Sequence, residues 1–180
     1  MPIAILGTVW ILTILLARWV SMLKRTRQVI PNHDGEDYLY RYFIYKPADK
    51  QGGRVYLHHL VRSDFDRSLH DHPWSFVSVM LWGSYREYST ITDLRALGAN
   101  GDWKMDLSDP NGEKVFADIK SPAVLYRRAQ WRHRLELTSK STWTLVFVGE
   151  KVRHWGFWCG EKWCYWKHFN YRNNVCEEPE

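Results

Sequence analysis

The chain has 180 residues and a mass of 21.5 kDa, which is enough for one domain with a short extension. Hydrophobic residues make up 45% of it and charged residues 25%, so the composition excludes an intrinsically disordered chain and a polytopic membrane protein. Aromatic residues reach 16%, which favours strands over a helical bundle, and the small net charge of +5 does not favour a nucleic-acid partner.

An apolar segment opens the chain, and Arg18 is the one charged side chain in residues 1–23. Residues 3–23 have about the length that a helix needs to cross a bilayer, and a basic cluster at 24–27 follows them. By the positive-inside rule this basic end stays in the cytoplasm, so the sequence predicts a single-pass membrane anchor with a cytoplasmic C-terminal domain. A signal peptide would need basic residues before the apolar run and a small-x-small cleavage site after it, and both are missing. The alternative is a helix that packs on the domain or on a partner.

The rest of the chain divides into a basic linker at 24–35, a β-domain at 36–170 and a polar, acidic tail at 171–180. Within the β-domain, short strand-like runs recur about every 8–12 residues, which indicates an all-β sandwich or barrel. The predicted strands cover 38–45, 55–61, 75–82, 84–92, 115–119, 123–127, 131–137, 143–148 and 155–158. Residues 97–112 are rich in Gly, Asn, Asp and Pro and are predicted to form a loop, and no stretch after residue 27 shows a helical period.

Three histidines are the strongest chemical signal. His70-Asp71-His72 opens the strand predicted at 75–82, and residues two apart in an extended chain point to the same face. His133 lies on the apolar, inward side of an alternating segment. A single inward histidine is more often a hydrogen-bonded core residue, but together with His-x-His in an all-β chain it predicts a metal site. The same periodicity points Asp71 away from the ion, so Asp71→Ala is expected to have little effect.

These residues resemble the two motifs of the cupin superfamily, the small jelly-roll barrels. The first family motif has His-x-His and a glycine that ends the strand, and here Gly83 follows His72 by eleven residues. The second motif ends in a histidine, which His133 matches in position. Arg128 and Gln130 stand where that motif has a proline and a glycine, so the match is incomplete.

The resemblance covers about 36–148, and residues 155–169 look like a region of uncharacterised bacterial and phage cupin-like proteins. It implies an all-β, cupin-type jelly-roll barrel behind an N-terminal hydrophobic helix. The glutamate that usually joins the histidines would fall near Phe76 or Val77, and neither side chain binds metal. The chain therefore looks like the three-histidine cupin variant found among thiol and diketone dioxygenases.

That variant implies a divalent metal on His70, His72 and His133, with iron(II) expected first and zinc, manganese or nickel as alternatives. Three neutral imidazoles leave the charge of the ion uncompensated and positions open, which favours a small anionic substrate. Glu87 is the acid that could serve as a fourth ligand or as an acid/base, and a salt bridge to Arg86 is its alternative role. Candidate substrate-binding residues are Arg62, Arg67, Tyr85 and Arg128.

The function implied by the resemblance is a metal-dependent oxidoreductase of the dioxygenase type, tethered to a membrane through residues 3–23. The alternative is a non-catalytic cupin that binds or senses a ligand, with a structural metal or none. A homodimer is compatible with either function. The sequence identifies neither the substrate nor the catalytic residues.

Three cysteines are an odd number and do not form a disulfide framework, which predicts a reducing compartment. Cys159, Cys164, His154 and His168 have a spacing that could suit zinc, but the tight Cys-x-x-Cys knuckle is missing. We therefore predict that Cys159 and Cys164 are buried thiols in a structural region.

Overall fold

The fold is taken from a computed structural model that describes residues 25–32, 34–48, 52–64 and 68–176, with seven separate positions between 13 and 22. The strands are β1 (Arg27–Pro31), β2 (Asp37–Tyr45), β3 (Arg54–Leu60), β4 (Leu69–His70), β5 (Phe76–Trp82), β6 (Ser84–Thr90), β7 (Lys104–Met105), β8 (Lys114–Lys120), β9 (Ala123–Arg127), β10 (Arg134–Leu137), β11 (Thr142–Val148), β12 (Gly156–Cys159), β13 (Lys162–Tyr165), β14 (Phe169–Asn170) and β15 (Val175–Cys176). The helices within residues 27–32, 34–48, 52–64 and 68–176 are α1 (Ile91–Leu97) and a short 3-10 helix (Trp166–His168).

Two antiparallel sheets make the body of the domain. The larger has six strands in the order β1-β2-β3-β11-β5-β9, and the smaller has four in the order β10-β6-β8-β7. They pack on each other through Met80 and Leu125 from the larger sheet and Tyr85, Ala117 and Ile119 from the smaller. The all-β prediction is confirmed. The closed barrel is corrected to a sandwich, because none of the described sheets closes on itself and packed side chains join the two main sheets.

A tight connection between β5 and β6 requires glycine. Gly83 has a φ of 88°, and a Cβ atom there would lie 2.3 Å from the carbonyl oxygen of Ser141. Both the left-handed backbone and the close approach exclude a side chain. The glycine of the first histidine motif thus lets the chain cross from the larger sheet to the smaller.

The N-terminal boundary differs from the prediction. Residues 24–35 are not only a linker, because β1 lies within them and pairs with β2 from Arg27 opposite Tyr42 onward. A membrane-spanning helix needs about 20 mostly apolar residues, and no helix within the described residues is long and apolar enough to cross a bilayer. The predicted single-pass localisation is therefore wrong. Most of residues 3–23, the predicted anchor, lies outside the described residues.

One helix interrupts the strands where none was predicted. α1 begins after Thr90, whose hydroxyl accepts a hydrogen bond from the Asp93 backbone N–H at 3.1 Å. It ends at Gly98, which has a φ of 63°. β6 therefore stops at Thr90, two residues before the end of the predicted strand, because the N-cap threonine starts a helix there.

The cysteine prediction is corrected as well. Cys159 forms a disulfide with Cys176, while Cys164 is a buried thiol outside the disulfide, as predicted. This disulfide links residue 176, in the predicted tail, to β12, so the β-domain continues past residue 170. The argument for a reducing compartment loses its basis, because it assumed that no cysteines were paired.

Candidate metal centre

The main chain holds two of the three histidines together. His70 ends β4, which pairs with β12. The N–H of His70 donates to the carbonyl of His133 at 2.9 Å, and the N–H of His133 returns the same bond to His70 at 2.9 Å. The His-x-His motif therefore does not open β5 as predicted, since residues 73–75 separate it from that strand.

The side chains of His70, His72 and His133 converge. One ring nitrogen from each lies within 4.8 Å of the other two, and the Nε2 atoms of His72 and His133 are 2.7 Å apart. Two imidazole nitrogens that share one ion at bonds of about 2.0–2.1 Å lie about 3 Å apart. The donor set and its spacing thus fit a divalent first-row metal.

A buried carboxylate orients His133. Oε1 of Glu87 lies 2.7 Å from Nδ1 of His133, which leaves Nε2 of that ring to face His72. Glu87 also accepts hydrogen bonds from the guanidinium of Arg127 and from the indole N–H of Trp131 at 2.9 Å. Burial alone would raise the pKa of the Glu87 carboxyl, but Arg127 and then His133 bring it below its ordinary value.

Glu87 therefore contacts the Nδ1 side of His133 and does not join the three ring nitrogens that converge. Its carboxylate is 1% exposed, and its hydrogen bonds go to donors that keep it ionised. The predicted alternative, a salt bridge to Arg86, is not formed, since Arg86 pairs with Asp118 at 2.7 Å. In metal sites, a hydrogen bond from the second ring nitrogen of a histidine ligand to a carboxylate commonly fixes the tautomer of that histidine and raises its basicity.

A second buried acid lies behind His70. Oδ2 of Asp64 is 3.8 Å from Nδ1 of His70, which is an ion-pair distance rather than a hydrogen bond. Within the described residues, Nδ1 of His70 has no hydrogen-bond partner. Asp64 itself is held by the backbone N–H of Leu135 at 2.6 Å and by the hydroxyl of Tyr38. The site thus has a fixed carboxylate near two of its three imidazoles.

Asp71 points away from the histidine cluster as predicted, but it is not dispensable. Its carboxylate accepts hydrogen bonds from the Gly156 N–H at 2.9 Å, from the Trp163 indole at 3.0 Å and from the Trp158 indole at 3.2 Å. Arg153 completes the set with an ion pair at 3.0 Å. Asp71 is 0% exposed and ties the β12–β13 hairpin to the segment that carries His70 and His72, so we expect its removal to lower stability rather than to have little effect.

A cavity of about 360 Å³ adjoins the histidines, between the two main sheets. All three histidines line it, with Tyr85 and mostly apolar side chains. The other predicted substrate-binding residues do not. Arg62 pairs with Glu36 on the surface, and Arg128 is exposed. Arg67 lies outside the described residues.

Among the described residues, the arginines that line the cavity are Arg41 and Arg127. Arg41 donates from Nε to Nε2 of His58 at 3.0 Å, and its guanidinium lies 4.8 Å from the ring centroid of Tyr56. Burial, with a further contribution from Arg41, lowers the pKa of His58 well below its ordinary value, so this ring is neutral. Strand parity could have identified Arg41, because it alternates in phase with Leu39, which is buried.

Burial also keeps His72 and His133 neutral. It lowers the pKa of His72 well below the ordinary value, and the neighbouring His133 and His70 lower it further. Burial lowers the pKa of His133 as well, although Glu87 opposes the shift. Neutral imidazoles are the form that binds metal, so His72 and His133 can coordinate an ion at neutral pH without losing protons.

No protein-family model matches the chain, and no curated protein matches it. Among solved structures, oxalate decarboxylase from Bacillus subtilis matches with a TM-score of 0.47 and 13% identity, over 72% of this chain and 28% of that one. An iron(II) form of HppE matches with a TM-score of 0.46 and 10% identity, over 68% of this chain and 56% of that one. A variant of PAC13 from Streptomyces, solved with uridine, matches with a TM-score of 0.47 and 10% identity, over 74% and 85%.

The chain spans less than a third of the oxalate decarboxylase and just over half of HppE. At 10–13% identity, these likenesses say nothing about substrate or reaction. These three solved structures are cupin-fold proteins.

Proposed function

We propose that this protein is a cupin-like metalloprotein that holds one divalent cation on His70, His72 and His133. The observation that carries the proposal is the convergence of three ring nitrogens within 4.8 Å of one another at the wall of a cavity. Three imidazoles are a frequent protein ligand set for a metal that keeps positions open for other ligands. Iron(II) is the ion we expect, and zinc, manganese and nickel are the competitors.

The second part of the proposal is an oxidoreductase activity of the dioxygenase type on a small anionic substrate. A bound divalent ion would supply Lewis acidity and, as iron(II), redox chemistry at the cavity wall. The cavity volume of about 360 Å³ suits a small molecule. Its apolar lining would exclude water from the ligand, and the neutral histidines leave the charge of the cation to be balanced by an anion.

The residues around the ion have separate roles in this proposal. Glu87 holds the ring of His133 in the tautomer whose Nε2 is free to bind, and Asp64 lies behind His70. Neither carboxylate is needed as a ligand. Tyr85 lines the cavity and is buried, so it would contact the substrate through its ring or hydroxyl.

Elemental analysis of the full-length chain tests the metal site. We expect one equivalent of a first-row metal after loading, and its loss in the His70→Ala/His72→Ala/His133→Ala variant. His59→Ala is the matched control, because His59 stacks on Trp143 at 4.1 Å and does not line the cavity. Equal metal content in the triple variant and the wild type would contradict the proposal.

Oxygen consumption then separates an enzyme from a binding protein. The loaded protein is incubated with a panel of small thiols, keto acids and diketones, and oxygen uptake is recorded for the wild type and for His133→Ala. Metal-dependent uptake with one class of compound supports the dioxygenase. Metal binding together with ligand binding, but without turnover across the panel, assigns the non-catalytic function instead.

A further inference from the structure

Two arginines of the described part of the chain line the cavity, and their surroundings differ. Arg127 is neutralised, since its guanidinium forms a two-pronged pair with Glu87, with Nη2 to Oε2 at 2.5 Å. Arg41 reaches the cavity from β2, directly opposite His58 on β3. Within the described residues, its partners are the neutral ring of His58 and the face of Tyr56, and none is a carboxylate.

Arg41 is therefore a cation without an anion in a largely apolar cavity. Removing a guanidinium from water is costly unless an opposite charge or several acceptors compensate. The one hydrogen bond that its side chain makes to the described residues uses Nε, which leaves the two terminal nitrogens for another acceptor. A planar fork of this kind matches a carboxylate in a two-pronged geometry.

Arg41 also lies on the same cavity as the histidine cluster. Its charge acts on His72, whose pKa it helps to lower, and on His58. A small molecule in the cavity could therefore contact the guanidinium at one end and an ion on the three histidines at the other.

We propose that Arg41 binds the carboxylate of the substrate, which is a small molecule with that carboxylate at one end and a metal-binding donor at the other. This inference rests on the proposed function for the metal-bound end. It assigns substrate recognition to Arg41 rather than to Arg62 or Arg128, which lie outside the cavity. His58 is the positioning residue, because it holds Nε and so directs the terminal nitrogens of Arg41.

Dicarboxylates and their monoamides are suitable probes, since one carboxylate can bind the ion and the other can pair with Arg41. Malonate, succinate and glutarate differ in length and so test different distances between the ion and Arg41. Each monoamide keeps the shape of its parent acid but lacks one negative charge. Binding to the metal-loaded full chain is measured by isothermal titration calorimetry. We expect at least one acid to bind about 10- to 100-fold more tightly than its amide.

Arg41→Met should abolish this preference and leave the metal content unchanged, because Arg41 is not a ligand. Arg62→Met is the matched control and should keep the preference, since Arg62 is a half-exposed surface residue paired with Glu36. If Arg41→Met does not fold, Arg41→Gln gives the same readout while keeping a donor for His58. Circular dichroism spectra and thermal unfolding curves establish that the variants are folded.

The outcomes separate the two proposals. An acid preference that is missing in the wild type, or that survives in Arg41→Met, overturns the role of Arg41 even if the metal is bound. A wild type that takes up no metal defeats the proposed metalloprotein. The acid-over-amide preference of that metal-free protein, and its loss in Arg41→Met, then still tests whether Arg41 recognises carboxylates.

Discussion

The carboxylate of Glu87 lies 2.7 Å from Nδ1 of His133 and is at the same time paired with Arg127. Since Glu87 is on β6 and Arg127 on β9, this carboxylate joins the smaller sheet to the larger one. One buried acid therefore orients a predicted metal ligand and cross-links the sandwich. Both the metal affinity and the stability of the fold should therefore depend on the Glu87 carboxylate.

Glu87→Gln tests this double role. Removing one partner of a buried pair leaves the Arg127 charge uncompensated, so we expect the free energy of unfolding to fall by about 3–5 kcal/mol. Metal affinity should fall by about 10- to 100-fold, because the neutral amide is a weaker acceptor for Nδ1–H of His133 than the carboxylate and can present its NH2 group there instead. Urea unfolding and metal titration measure the two effects. Glu136→Gln is the control, since Glu136 is exposed on β10, and wild-type metal affinity in Glu87→Gln would contradict the orienting role.

Asp71→Ala is expected to destabilise the protein by about 2–4 kcal/mol, because the Gly156 N–H and two indole N–H groups lose their acceptor. Thermal unfolding measures the loss. Asp118→Ala removes an acid of similar size from a half-exposed pair with Arg86 and should cost less than about 1 kcal/mol. Equal effects of the two changes would show that Asp71 does not anchor the β12–β13 hairpin.

The metal-free protein should lose stability in acid. Burial holds the pKa of His58, His72 and His133 below the ordinary value, so below about pH 6.5 the unfolded chain binds more protons than the folded one. The contribution of these rings is present above that pH and falls as the pH decreases, by up to about 1.4 kcal/mol per pH unit for each ring. Urea unfolding of chelator-treated protein between pH 7.5 and 5.5 measures the slope. His58→Gln should make it shallower, and a stability that rises towards pH 5.5 would contradict the argument.

The three cysteines should differ in reactivity. Peptide mapping without reductant should recover Cys159 linked to Cys176, and Cys164 should react with iodoacetamide only after unfolding, because its thiol is buried. Closing a loop of 17 residues is worth about 3 kcal/mol in the chain-entropy account, so Cys176→Ser should lower the free energy of unfolding by about that amount. Recovery of a Cys159–Cys164 link would contradict the assigned pairing.

Local sequence patterns predicted the parts of the site that depend on one strand. Alternation placed His133 on the inward side, and the two-residue spacing brought His70 and His72 to one cluster. The metal itself stays a prediction. The helix α1 could also have been predicted, since Thr90 and Asp93 form an N-cap pattern that the strand propensity of the preceding run obscured.

Pairings between distant segments could not be predicted in this way. Glu87 and Arg127 are 40 residues apart and belong to different sheets, so their contact depends on how the sheets pack. The same holds for Asp71 and the β12–β13 hairpin. Periodicity correctly gave the direction of the Asp71 side chain, but not the donors that surround it. The position of Arg41 at the cavity was not predicted, because the arginines were considered for their charge without strand parity.

The reciprocal hydrogen bonds between His70 and His133 are made by main-chain atoms, so they do not depend on which side chains these positions carry. The main chain thus fixes the positions of residues 70 and 133, whereas the side chains determine whether the metal-binding donor is hard or soft. Replacing an imidazole by a thiolate or a carboxylate at either position would change which cation the centre prefers while the Cα frame is retained. The selectivity of such a centre can diverge by single substitutions, without rebuilding the domain around it.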